Sequence, residues 1–133
     1  MTRLALIALS AALVLTAAPA LASEAPAKGA APTSHYLAFP TLTATVFRTD
    51  RRRGVMAVDA TLDIPDNALR ARAASLQPRL RAAYAQALNV YAASLPAGRP
   101  ADPEYLSREM QRQTDQAIGK PGAKFLLGSI LIN

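Results

Sequence analysis

The stretch VMAVDATLDI, residues 55–64, carries the clearest repeating pattern in the chain. Apolar side chains occupy every second position, and Asp59, Thr61 and Asp63 alternate with them. The apolar positions are Met56, Val58, Ala60, Leu62 and Ile64. Because successive side chains of a strand point to opposite faces of a sheet, the pattern predicts a strand with one buried face.

The preceding segment repeats the same alternation. From residue 41 to residue 47, threonines alternate with Leu42, Ala44 and Val46. The polar link RTDRRRG, residues 48–54, joins the two segments and ends in glycine, which predicts an antiparallel hairpin. Pro40 has no N–H to give to a strand pair, so the start of the first strand is predicted to be an edge or a bulge.

Three helices are predicted after Pro65, where the apolar spacing changes to three and four residues. Asp66 is a predicted N-cap, Pro78 opens the second helix, and Asp102 starts a third that ends at Gly119. The second helix carries an apolar stripe that we expect to pack on the sheet. Its members are Leu80, Tyr84, Ala87, Leu88, Tyr91 and Leu95.

The last segment, AKFLLGSILIN, is apolar on both faces. It predicts a strand that is either central and buried on both sides or covered by the helices. The order of elements predicts an α+β domain, in which the hairpin and the C-terminal strand form a small antiparallel or mixed sheet with two to three helices on one face. Val58, Leu62, Leu80, Leu88 and Leu127 are expected to be buried together.

The N-terminal residues resemble a signal peptide. Arg3 precedes an uncharged apolar run, Pro19 ends that run, and Ala20 and Ala22 suit a signal peptidase. We predict a signal peptide over residues 1–22, a flexible linker over 23–34 and the α+β domain over 35–133, with export to the periplasm. The alternative is an uncleaved anchor that tethers the domain to the inner membrane, since residues 4–22 are nearly long enough to span a bilayer.

The charge of the chain bears on its partners. Lys and Arg number 15 against 9 acidic residues, a net charge of +6, and there is no cysteine. Export makes nucleic acid an improbable partner and leaves acidic proteins and anionic membrane surfaces. The candidate anion- or partner-binding residues are Arg48, Arg51, Arg52 and Arg53 in the hairpin link and Arg70, Arg72, Arg79 and Arg81 in the helices. The alternative is that both groups are simply solvated.

The sequence offers little for catalysis. His35 is the one histidine and no cysteine is present, so we expect no metal site, no cofactor and no nucleophile with an activating base. Asp59 and Asp63 share a strand face but would lie about 13 Å apart, farther than the paired carboxylates of glycosidases. We therefore predict a protein that is not an enzyme, and rank a small hydrolase last.

Several packing motifs resemble the flagellar basal body-associated FliL family. Pro78, Leu80 and Arg81 match its Pro-x-Leu/Ile-Arg helix start. The closing strand keeps the family's spacing at Lys124, Leu127, Ile130 and Leu131-Ile132-Asn133, with Asn133 at the final polar position, and the match covers roughly residues 36–133. Members of the family keep an N-terminal transmembrane helix, whereas Ala20-Leu21-Ala22 favours cleavage here.

The resemblance implies a stomatin-like α+β domain in the periplasm that supports the flagellar motor in motility and chemotaxis. Its partners would be stator or basal-body proteins and further copies of itself. A second hypothesis is a periplasmic module that binds an anionic lipid or cell-wall polymer and has no role in motility. In both cases the function would be an interaction and not a reaction.

Overall fold

The computed structural model describes residues 34–133, so the predicted signal peptide and all but the last residue of the predicted linker lie outside the described residues. The strands are β1 (Tyr36–Ala38), β2 (Leu42–Phe47), β3 (Arg53–Asp63) and β4 (Lys124–Ile132). The helices are α1 (Asn67–Ser75), α2 (Gln77–Ser94) and α3 (Pro103–Ile118). This is the predicted α+β fold, with an antiparallel sheet of four strands and three helices.

β3 is the centre of the sheet. β1 and β2 pair with one side of β3, β4 pairs with the other side, and all pairs are antiparallel. The prediction that the last strand could be central and buried on both faces is therefore wrong. β4 is an edge strand, and Leu131 on its outward face is 57% exposed. The continuous apolar sequence of β4 therefore belongs to an edge strand that is covered on one face, and not to a central strand.

The first predicted strand is interrupted as the proline suggested. Ala38 lies opposite Thr61, and Leu42 lies opposite Val58. Four steps along the first segment thus match three steps along β3, which places one extra residue beside Pro40. The predicted edge or bulge at this proline is confirmed.

The helices cover one face of the sheet, which we call the inner face; the opposite face is the outer face. α2 packs over β2, and α3 packs over β4 and beside α2. Val58, Leu62, Leu80 and Leu88 are fully buried, as predicted, whereas Leu127 is only partly buried. The inward positions of β3 are all buried, so the alternation of residues 55–64 identified the core correctly.

The helix ends follow the predicted signals. The Asp66 carboxylate accepts a hydrogen bond from the N–H of Leu69 at 2.8 Å. Asp102 accepts one from the N–H of Tyr105 at 3.1 Å, and Gly119 ends α3 with a left-handed φ of 73°. These caps bond backbone groups that a helix end leaves unpaired. No helix among residues 34–133 is long and apolar enough to cross a bilayer.

Candidate functional site

The hairpin between β2 and β3 ends in a tight turn, and we call residues 48–53 the hairpin tip. The N–H of Arg48 donates to the carbonyl of Arg52 at 2.9 Å, and the N–H of Arg51 donates to the carbonyl of Arg48 at 3.0 Å. The Asp50 carboxylate accepts from the N–H of Arg52 at 3.0 Å. The turn therefore fixes the directions in which the tip arginines leave the backbone.

The hairpin tip carries an excess of positive charge. Asp50 lies 3.8 Å from Arg48 Nε and 4.0 Å from Arg52 Nε. Arg51 and Arg53 form no ion pair with any described residue. Because ion pairs between exposed side chains contribute little, one carboxylate leaves most of the positive field of four guanidinium groups available to an external anion.

Arg70 and Arg72 are engaged inside the domain. Arg70 donates from Nη1 to the carbonyl of Ile64 at 2.8 Å and from Nη2 to the side chain of Asn67. Arg72 donates from Nε to the carbonyl of Ile118 at 3.2 Å. Both guanidinium groups thus bond to carbonyls where other elements end, which gives them a structural role whether or not they also contact an anion.

Arg79 and Arg81 are exposed in the first turns of α2 and form no ion pair within residues 34–133. Arg81 lines a concavity with Pro40, which lies beside the stretch of β3 between Val58 and Thr61, while the hairpin tip lies at the start of β3. About six residues of β3 therefore lie between the hairpin tip and the level of Arg81, a separation of roughly 20 Å. The eight candidate arginines therefore form two separate groups and not one patch.

An open groove lies on the inner face of the sheet beside the hairpin tip, and we call it the hairpin-end groove. It has a volume of about 820 Å³. Its apolar lining includes Val46, Leu95, Ala101, Ile130 and Ile132. The groove exists because α2 ends at residue 94 and α3 begins at residue 103, so neither helix covers this end of the sheet.

Two arginines line the hairpin-end groove, Arg48 from the tip and Arg99 from the loop between α2 and α3. Arg99 was not among the predicted site residues. The structure brings Arg99 to the groove because its loop packs against the hairpin. The neighbouring Gly98 lies so close to Thr49 that an added Cβ would be 2.5 Å from Thr49 Oγ1. Pockets with an apolar floor and a few polar groups are typical binding sites, so this groove is the best-formed candidate site.

Tyr91 anchors the same loop. Its hydroxyl oxygen accepts a hydrogen bond from the N–H of Asp102 at 2.6 Å, and its ring stacks on Tyr105 with centroids 5.3 Å apart. These contacts hold the start of α3 against the end of α2. The groove walls are therefore built by packing between two helices, which favours a preformed site.

On the outer face, Asp59 of β3 bonds to β4 and to the residue that precedes β2. Its carboxylate accepts hydrogen bonds from the hydroxyl of Thr41 at 2.8 Å and from that of Ser129 at 2.6 Å. Bonding to the Ser129 hydroxyl, and then to that of Thr41, lowers the pKa of Asp59. The contribution of this carboxylate to stability is therefore present above its unfolded pKa and is lost as the pH falls through the lower folded value.

No group of three or more acidic or histidine side chains among residues 34–133 is arranged to hold a metal ion. His35 lies exposed just before β1. The chain was also compared with known proteins, and no protein-family model, no curated protein and no solved structure matches it. The likeness to the FliL family therefore remains a prediction that rests on the residues quoted above.

The backbone of Arg51 permits a test that separates folding from charge. Arg51 has a φ of 63°, a conformation that glycine adopts without steric cost. We expect Arg51→Gly to raise the free energy of unfolding by up to about 1 kcal/mol while removing one tip charge. Urea denaturation measures the change. Arg52→Gly is the matched control because Arg52 has no positive φ, and it should destabilise the domain; an equal response of both variants would contradict the turn geometry.

Proposed function

We propose that this protein is an exported interaction protein of the FliL type that supports the flagellar motor by binding an acidic partner. The observation that supports the proposal is the joining of the hairpin tip to the hairpin-end groove, where Arg48 and Arg99 flank an apolar floor. Arginine pairs with carboxylates in a bidentate manner, and apolar grooves bind partner side chains. The arrangement suits an interaction with an acidic and partly apolar surface.

The side chains of the tip arginines lie outside the hydrophobic core, which supports their assignment to an external partner. The side chain of Arg52 is 84% exposed, and no core residue lies between residues 48 and 53. Exposed charges on a hairpin loop attract partners over several ångströms and contribute little to folding. Arg70 and Arg72, in contrast, are bonded to carbonyls of the domain.

The second candidate function is binding of an anionic lipid or cell-wall polymer without a role in motility. It is favoured by the same tip charge, because basic residues near an anionic membrane surface each contribute about 1 kcal/mol. This candidate does not require the apolar groove. Removing tip charge should therefore weaken vesicle binding at low ionic strength, and added salt should abolish the difference between variant and wild type.

The experiment is a clean deletion scored for swimming speed and swarming, followed by complementation. We expect the deletion to reduce motility, wild type to restore it, and the tip variant Arg51→Gly/Arg52→Ser to restore it only in part. The matched control is Arg79→Ser/Arg81→Ser, which removes two exposed arginines of α2 away from the hairpin tip. It should complement fully if the tip is the binding surface.

Normal swimming and swarming in the deletion strain would contradict the motor role and leave envelope binding as the leading hypothesis. Binding of the purified protein to phosphatidylglycerol vesicles, compared between the tip variant and Arg79→Ser/Arg81→Ser, then tests that hypothesis. Equal binding of both variants and wild type at low salt would show that the tip arginines are only a solvated turn.

A further inference from the structure

A trough runs along the free side of β4, between this strand and α3. Three concavities adjoin there: one of about 460 Å³ near Phe125, one of about 470 Å³ near Leu127, and the hairpin-end groove. Neighbouring concavities share lining residues, since Ser107 belongs to the first two and Gly128 to the last two. The trough thus follows β4 from its first residues to the hairpin end of the sheet.

The backbone of β4 presents hydrogen-bonding groups to this trough. Asn133 and Val55 exchange both N–H to carbonyl hydrogen bonds, each 3.0 Å long. Because such exchanging pairs alternate along antiparallel strands, the peptide groups of Leu131 face β3, while those of Ile130 and Ile132 face the free side. An edge of this kind is a template for a further strand.

At the opposite end of β4 a side chain already occupies the edge. The amide of Gln111 donates from Nε2 to the carbonyl of Ala123 at 2.9 Å and accepts from the N–H of Phe125 at 2.7 Å. The side-chain amide thus bonds to a carbonyl and an N–H that lie two residues apart on β4. The backbone of a residue on a neighbouring parallel strand would bond to the same two groups. Within the described residues, no side chain caps Ile130 or Ile132 in this way, so this part of the edge is open.

The open edge and the hairpin-end groove adjoin at the same residues. The side chains of Ile130 and Ile132 line the groove, so a strand added beside them would direct every second side chain into it. Arg48 and Arg99 line the same groove against the single carboxylate of Asp50. The site therefore offers backbone pairing, an apolar floor and a positive rim.

We infer that the edge of β4 at residues 130–132 and the hairpin-end groove together bind a short extended segment of a partner protein. The side chains of the segment that enter the groove are apolar except for one carboxylate among them, which reaches Arg48 or Arg99; the side chains between them face the other side of the sheet. This identifies the kind of partner that the proposed interaction role requires, and it does not depend on a role in motility. A second copy of this chain fits poorly, because its own groove rim is positively charged.

Fluorescence anisotropy tests the inference with a labelled, end-capped hexapeptide in which threonine alternates with valine, glutamate and valine, so that the glutamate and both valines lie on one face. Ile132→Pro removes an N–H that faces the free side and leaves the bonds to β3 intact, whereas Ile132→Ala shortens the same side chain and keeps the N–H. We expect Ile132→Pro to weaken binding about tenfold relative to Ile132→Ala. Thermal melts establish that both variants remain folded.

A second arm leaves the protein unchanged and keeps the inference testable if the proline variant unfolds. Methylating the alternate peptide nitrogens that would pair with β4 should weaken binding about tenfold, and replacing glutamate by lysine should abolish it. Slower hydrogen exchange at the amides of Ile130 and Ile132 in the complex would support the site directly.

Four outcomes would overturn the inference. The first three are no binding of the hexapeptide at millimolar concentration, equal binding by the proline and alanine variants, and no effect of nitrogen methylation. The fourth is a dimer, detected by sedimentation, that the Ile132→Pro substitution prevents and that the hexapeptide does not dissociate. None of them bears on the deletion phenotype, so failure of this inference and failure of the motor role are distinguishable.

Discussion

Replacing Tyr84 with alanine is expected to lower the free energy of unfolding by about 3–5 kcal/mol, the range for large aromatic residues in a core. Tyr84 is fully buried and its ring meets two others edge to face, Phe39 at 5.2 Å and Phe125 at 5.4 Å between centroids. Those rings come from the segment after β1 and from β4. Truncation therefore removes the contacts that join α2 to the β1 edge and to the β4 edge of the sheet.

The Tyr84 hydroxyl is also bonded. It lies 2.6 Å from Thr114 Oγ1, and the Thr114 hydroxyl donates its only proton to the carbonyl of Met110 at 2.8 Å. Tyr84 is therefore the donor to Thr114. Burial raises the pKa of Tyr84 to about 12, so the phenol keeps its proton at neutral pH and the hydrogen bond persists.

Urea denaturation of Tyr84→Ala measures the loss, and Tyr84→Phe is the matched control. The phenylalanine variant keeps all ring contacts and removes one hydrogen bond, so it should cost about 1 kcal/mol. If both variants lost the same amount, the ring contacts would contribute nothing beyond the hydroxyl, and the account of Tyr84 as the link between the two layers would be wrong.

Local chemistry explains why much of the fold was predictable. The alternation around Val58 specifies a strand with one buried face, and Asp66, Asp102 and Gly119 mark helix ends through bonds to nearby backbone groups. Each of these signals acts over a few residues, so it can be read from a short stretch of sequence. The interruption at Pro40 belongs to the same class, because the missing N–H is a property of that residue alone.

The position of β4 was not predictable in this way. Apolar residues on both faces of a strand suit a central position, yet β4 is an edge whose outward side chain Leu131 remains exposed. Strand order depends on which elements meet after the chain has turned several times, and one strand's composition does not encode it. The same reason explains why the predicted covering by helices holds only for the inner face of β4, against α3.

The candidate site was likewise predictable from the sequence only in part. The charge of the hairpin tip was visible as a run of arginines, but Arg99 gave no signal because it lies in a proline- and glycine-rich loop 46 residues beyond Arg53. The groove between them forms only when this loop meets Thr49 of the hairpin. Likewise, the sequence could not separate Arg70 and Arg72, which bond to carbonyls of the domain, from Arg51 and Arg53, which form no ion pair with any residue among 34–133.

The apolar stripe of the second helix predicted that the ring of Tyr84 packs on the sheet. The structure buries the hydroxyl as well, because Thr114 on α3 supplies a partner. The four-residue spacing of Leu106, Met110 and Thr114 did place the threonine on the buried face of its helix, so a polar partner could have been suspected. Which aromatic residue it would meet depended on how α2 and α3 pack together.

Leu88→Ala provides the second large expected effect, a loss of about 2–5 kcal/mol in the free energy of unfolding. Leu88 is fully buried in the centre of α2, the helix that packs over β2 and beside α3. Val90 lies two residues farther along the same helix and is 61% exposed, so Val90→Ala is the matched control. Leucine and alanine are both good helix formers, and the loss in Leu88→Ala therefore reports burial and the cavity left behind.

Thermal and urea unfolding of the two variants should separate them clearly. Val90→Ala is expected to change stability by no more than about 0.5 kcal/mol, since surface substitutions away from special features seldom do more, and replacing a β-branched residue by alanine slightly favours a helix. A small domain has only about 5–15 kcal/mol to lose, so Leu88→Ala should remove a large part of it. An unchanged midpoint for Leu88→Ala would show that this face of α2 turns away from the sheet, and the packing of two helices on one face would have to be abandoned.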